Sequence, residues 1–127
     1  MSLPQAIKTM LEDVTLIAND EVTYGSRNQN SVLPAIFFQI NSNETLTVGS
    51  SPLRKAEVMI SSVAQTAEDA QSIAAEVEVQ LDTGTYNSIV FQGVANKNSV
   101  LQQPSSSFGE ETNPFICITT ADIFYKE

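Results

Sequence analysis

Residues 54–81, RKAEVMISSVAQTAEDAQSIAAEVEVQL, change hydrophobic period partway along. In the first part Ala56, Val58 and Ile60 share one face and Lys55, Glu57, Met59 and Ser61 the other, the two-residue period of a half-exposed strand. In the second part Ala70, Ile73, Ala74, Val77 and Leu81 line one face of a helix. Thr66 is placed to cap that helix, Glu68 and Asp69 sit where its dipole favours acids, and Gly84 is expected to end it. The acids Glu76, Glu78 and Asp82 fall largely off the apolar stripe and give the helix a negative outer side.

The remaining patterns sort around this unit. Ile7, Met10, Leu11, Val14 and Ile17 form the stripe of a first helix, opened by a Ser2–Gln5 capping box with Pro4 in its first turn and expected to end near Asn19. A short strand is expected at residues 21–24, followed by the turn-rich GSRNQNS. LPAIFFQI is a strand with Ile36, Phe38 and Ile40 facing the core, and Phe37 on its other side points to burial there too, or to a subunit contact. Residues 41–44 read as a turn and TLTV as a hairpin arm. NSIVFQGVA and FICITTADIFY are the last two strands, separated by QQPSSSFGEETNP, whose prolines, serines and glycine oppose regular pairing. Strand runs broken by two helices predict an α+β fold: a mainly antiparallel sheet with both helices packed on one face, and long protruding loops.

At 127 residues the chain is expected to form a single domain, residues 1–127, large enough to bury a core without metal or disulfide staples. Fifteen acidic residues against six basic ones give a formal charge of -9, which repels phosphate backbones and anionic lipid. Nine aromatics (six Phe, three Tyr, no Trp) lack interleaved Lys or Arg, so a single-strand nucleic-acid platform is missing. The N-terminal MSLPQAIKTMLEDV has neither a basic leader region nor an uninterrupted apolar run, and is read as neither signal peptide nor membrane span. The single cysteine, Cys117, allows no intrachain disulfide, and synthesis in the cytoplasm is expected.

Catalytic chemistry finds little purchase. There is no histidine, no P-loop and no G-x-G-x-x-G, and one cysteine cannot build a thiolate cage. Cys117, between Ile116 and Ile118, is read as a buried structural thiol rather than a nucleophile. The adjacent acids Glu12 with Asp13, Asp20 with Glu21, Glu68 with Asp69, and Glu110 with Glu111 are the oxygen ligands on offer for Mg²⁺ or Ca²⁺, but none lies in an EF-hand loop. No catalytic residue, cofactor or metal is assigned. The polar loops at 41–51 and 102–113 carry isolated apolar residues, Leu46, Val48 and Phe108, with Glu110 and Glu111 beside the last. Such loops are either mobile connections or arms that order on a neighbouring subunit; in the second case these five residues are the candidate contacts.

Taken together, the N-terminal helix, Leu33 and Pro34 leading into the aromatic strand, RKAEVMISSVA feeding TAEDAQSIAAEVEVQL, and the final strand pair resemble the tail completion proteins of long-tailed bacteriophages, also called tail terminator or tail-to-head joining proteins. The likeness spans nearly the whole chain and lies in hydrophobic pattern and element order; the polar loop at 102–113 and the acidity depart from it. The resemblance implies a non-enzymatic virion subunit that forms a homo-oligomeric ring, commonly a hexamer, on the head-proximal end of the tail tube. Such a ring stops tube growth and joins the tail to the neck, so its implied partners are copies of itself, the tail tube protein and a neck or head-completion protein, with no membrane. DNA would pass through the channel without specific binding; the acid excess either lines that channel in part or serves solubility alone. The alternatives are a head-completion (stopper) or tail tube subunit and, from a different class, a small metal- or ligand-dependent hydrolase using carboxylates.

Overall fold

The computed structural model describes residues 3–12, 22–24, 34–46, 52–86, 88–102 and 115–126. These residues form two helices and six strands: α1 (Leu3–Leu11), β1 (Val22–Tyr24), β2 (Ala35–Thr45), β3 (Arg54–Ala64), α2 (Ala67–Gln80), β4 (Gly84–Tyr86), β5 (Ile89–Gln102) and β6 (Phe115–Lys126). All six strands join one sheet in the order β1-β2-β3-β6-β5-β4. Every pairing is antiparallel except that of β1 with β2. The fold is α+β and mainly β, as the sequence predicts.

Both helices pack on the same face. From the sheet, Phe38, Ile60, Ile123 and Tyr125 meet Ile7 and Met10 of α1 and Ile73 and Val77 of α2 in one buried cluster. Truncating any of the larger members to alanine would cost about 2–5 kcal/mol, because the lost transfer energy adds to that of the cavity left behind. The β3–α2 junction forms as its residues dictate: Thr66 Oγ1 accepts the Asp69 amide hydrogen at 3.1 Å, and the stripe Ala70, Ile73, Ala74, Val77, Leu81 is buried. A smaller cluster of Ala35, Phe37 and Val63, joined by Ile116, lies on the opposite, helix-free face. Phe37 is therefore buried on that second side, as its position in the aromatic strand suggested.

Several local expectations give way to sheet pairing. Residues 41–44 are strand, not turn: Ser42, Asn43 and Glu44 pair with Glu57, Ala56 and Lys55, and the asparagine-rich run is absorbed by a bulge between Ile40 and Ser42. Gly84 does not stop α2, which ends at Gln80 with Leu81 as its cap residue; Gly84, at φ 157°, opens β4, a strand the sequence reading did not separate. β5 continues through the polar residues Asn96 to Ser99, because β6 offers a long partner and bulges between Phe91 and Gly93 and between Ala95 and Asn98 take up the irregularity. The Glu12 amide still donates to the Lys8 carbonyl at 2.9 Å; the expected capping Ser2 and helix end near Asn19 lie outside the described residues.

The sheet is curled. β1 and β4 stand at opposite ends of the strand order, yet α1 lies against both, as well as against β2 and α2. α2 lies against β3, β5 and β6. β1 pairs at the Ala35 end of β2 and β4 at the Ile89 end of β5, which are diagonal corners of the sheet. The right-handed twist of a sheet draws one pair of diagonal corners together, and here α1 fills the space between them.

Candidate functional site

Among the described residues a polar cluster joins the end of α2 to the sheet. Ser99 Oγ donates to Glu78 Oε2 at 2.8 Å and lies 2.8 Å from Thr119 Oγ1. Since the one Ser99 proton goes to the carboxylate, Thr119 is the donor to Ser99. Lys97 Nζ donates to the carbonyl oxygens of Glu78 at 2.9 Å and Leu81 at 3.3 Å. A hydroxyl beside a carboxylate, here Ser99 with Glu78, is the beginning of a nucleophile–base pair, but Ser99 is also tied to the fully buried Thr119 and the lysine is spent on main-chain carbonyls. The arrangement anchors a helix. Burial pushes the pKa of the Cys117 thiol up, and the charge of Glu78 adds to the shift, so the protonated form is favoured over the nucleophilic thiolate.

A recess of about 240 Å³ is lined by Pro34, Asp69, Ser72 and Ile73 beside the first turns of α2. It holds one carboxylate and no second titrating group among those lining residues. Among the described residues no three acids or cysteines converge as metal ligands, and no helix is long and apolar enough to cross a membrane.

The surfaces that remain are the sheet's own. On the helix-free face, Phe37, Ser61, Ile118 and Val100 form one cross-strand row, and Ala35, Val63, Ile116 and Gln102 the next. Toward the other end the face turns polar with Glu44, Lys55, Glu57 and Asp122, where Lys55 Nζ approaches Asp122 Oδ2 at 4.0 Å. Along the edges, β1 covers only Ile36, Phe37 and Phe38 of β2, and β4 only Ile89, Val90 and Phe91 of β5. Residues 42–45 and 98–102 therefore have a strand partner on one side alone among the described residues. Among the described residues the exposed large hydrophobics are Leu46, which ends the β2 ladder, Val90 and Val100 on β5, and, away from these edges, Val79 on α2.

Of the residues singled out by sequence, Leu46 is 44% exposed and its amide donates to the Leu53 carbonyl at 2.8 Å, so it continues the β2–β3 ladder. Val48, Phe108, Glu110 and Glu111 lie outside the described residues. Sequence reading missed the ladders at 42–45 and 98–102 that are one-sided among the described residues, since both stretches are mainly polar with little apolar alternation; Val100 and Leu101 were the apolar signal available.

No family model matches the sequence, and no curated protein does. The fold is similar to that of a chain in the solved structure titled "Virion of native gene transfer agent (GTA) particle", with a TM-score of 0.63 at 13% identity, covering 99% of this chain and 96% of that one.

Proposed function

We propose that this chain is a virion structural subunit of a phage-type particle, acting as a tail completion (terminator) protein: a ring on the head-proximal end of the tail tube that ends tube growth and joins the tail to the neck. The observation that carries this reading is the end-to-end likeness of the fold to a chain of a virion particle, which leaves no sizeable part of either chain unmatched. The surfaces support it, because a ring subunit needs a rigid sheet with partly apolar edges that can take up a neighbour, and β2 and β5 carry such edges among the described residues. Its partners would be further copies, six in the ring, together with the tail tube protein and a neck or head-completion protein. Leu46, Val48, Phe108, Glu110 and Glu111 remain the proposed contacts, and the protein, made in the host cytoplasm, would reside in the virion. The exposed acids Glu68, Asp69 and Asp82 of the α2 region fit a wall past which DNA moves without adhering.

Negative-stain imaging of particles assembled without this protein tests the assignment. Overlong tails unattached to filled heads are expected. Normal tails joined to heads would overturn it, tails missing altogether would assign the chain to the tube, and normal-length tails beside leaking heads would make it a stopper.

A further inference from the structure

We propose that neighbouring copies join edge to edge, residues 42–45 of β2 in one copy adding antiparallel to residues 98–102 of β5 in the next, with Glu44 opposite Val100. This rests on the ring reading and names its joint. Strand direction alone favours the match. β2, β3, β6 and β5 are successive antiparallel neighbours, so β2 and β5 run in opposite senses. Rotation about an axis to which the strands are inclined by less than a right angle keeps their sense along it; β2 of one copy therefore meets β5 of the next antiparallel, with the helices of every copy on the same side.

These ladders, one-sided among the described residues, are placed for such a joint. The curl that brings the β1 and β4 corners to α1 leaves the other diagonal pair of corners, 42–45 and 98–102, without a described outer strand. Neither stretch contains a proline or a lysine, residues that guard an edge, and the bulges at residues 41, 92 and 96–97 stop short of both. Leu46 and Val100 are 44% and 55% exposed as single copies. Pairing Glu44 with Val100 sets Leu46 diagonally beside Val100 on the helix-free face, where each covers the other.

The same register meets the demands of closure. Through Ile118 and Ser61, Val100 stands level with Phe37 of its own copy. Glu44 is seven positions further along β2 (44 minus 37), or six once the bulged Asn41 is set aside. Six residues are about 20 Å along the strands, against about 19 Å across four strands, a tilt of about 45° like that of closed barrels.

Cysteine cross-linking in a Cys117→Ala background tests the joint. Glu44→Cys with Val100→Cys on one chain, oxidised at high protein concentration, is expected to give a ladder of covalent multimers larger than dimers on non-reducing gels. The pairs Ser42→Cys with Val100→Cys and Leu46→Cys with Val100→Cys, which report neighbouring registers, should give at least tenfold less. Mass photometry of the unmodified chain is run alongside. Ring-sized particles without a Glu44/Val100 ladder, or dimers from either single variant, would overturn the joint while the ring reading stands. A strictly monomeric chain would overturn both.

Discussion

Lys97 Nζ donates to the main-chain carbonyl of Glu78 at 2.9 Å, so a side chain of β5 closes the last turn of α2. α2 has no basic residue in its own last turn, and the positive charge that a helix C-terminus favours arrives from across the sheet. The bulge between Ala95 and Asn98 aims it, by placing both Asn96 and Lys97 opposite the single residue Ala121. Lys97→Met keeps the aliphatic stem and removes the charge. It should lower stability by about 1 kcal/mol, seen as a lower urea midpoint at unchanged slope. Added salt should narrow the difference, since the ammonium is near the surface.

Ser62 is fully buried on the helix side of β3, and its Oγ has no hydrogen-bond partner. A hydroxyl taken out of water without replacement costs roughly 1–3 kcal/mol. Ser62→Ala removes the orphaned group while opening little space. Its expected effect is neutral to stabilising, by up to about 1 kcal/mol; a clear loss of stability in thermal or urea unfolding would contradict this account of the site.

The elements most legible in the sequence are those whose side chains repeat with one period against one core. The β3–α2 unit is the example: Thr66 caps, Ala70 through Leu81 bury, and Ala56, Val58 and Ile60 face inward as the alternation requires. The edge ladders were illegible for a physical reason. Asn41 to Glu44 and Asn96 to Ser99 carry local turn preferences, and only pairing with β3 and β6, which are distant in sequence, makes them strands. Bulges hide such segments further by breaking the two-residue period. The one-sided exposure of β2 and β5 is a property of strand order, and no window of sequence contains it.

Cys117 supplies a pH test. Burial, with a smaller contribution from Glu78, holds its thiol protonated to higher pH than an ordinary cysteine. Above the ordinary value the unfolded chain releases a proton that the folded chain keeps. The associated stability is thus complete at lower pH and falls as pH rises from the unfolded to the folded value. Relative to Cys117→Ala, which lacks the group, the natural chain should lose urea stability across that alkaline interval. At neutral pH a thiol reagent should label Cys117 only as fast as the chain opens, and faster with added urea.

Asn96 couples a backbone constraint to a side-chain one. At φ 57° it occupies the left-handed region inside the β5 bulge, and its Nδ2 donates to Asp122 Oδ2 at 2.7 Å. Asparagine tolerates that conformation better than most residues, and its amide ties the bulge to β6. Three substitutions separate the two effects. Asn96→Gly keeps the backbone freedom and loses the bond, costing about 1 kcal/mol. Asn96→Ala loses both and should cost about 2 kcal/mol. Asn96→Asp keeps the tolerance but sets a second carboxylate against Asp122, so its defect should be largest at neutral pH and recede as the solution is acidified. Urea midpoints of the three at two pH values check the order. If glycine and alanine were equally damaging, the hydrogen bond would be the sole contribution and the left-handed backbone would have no part in holding the bulge.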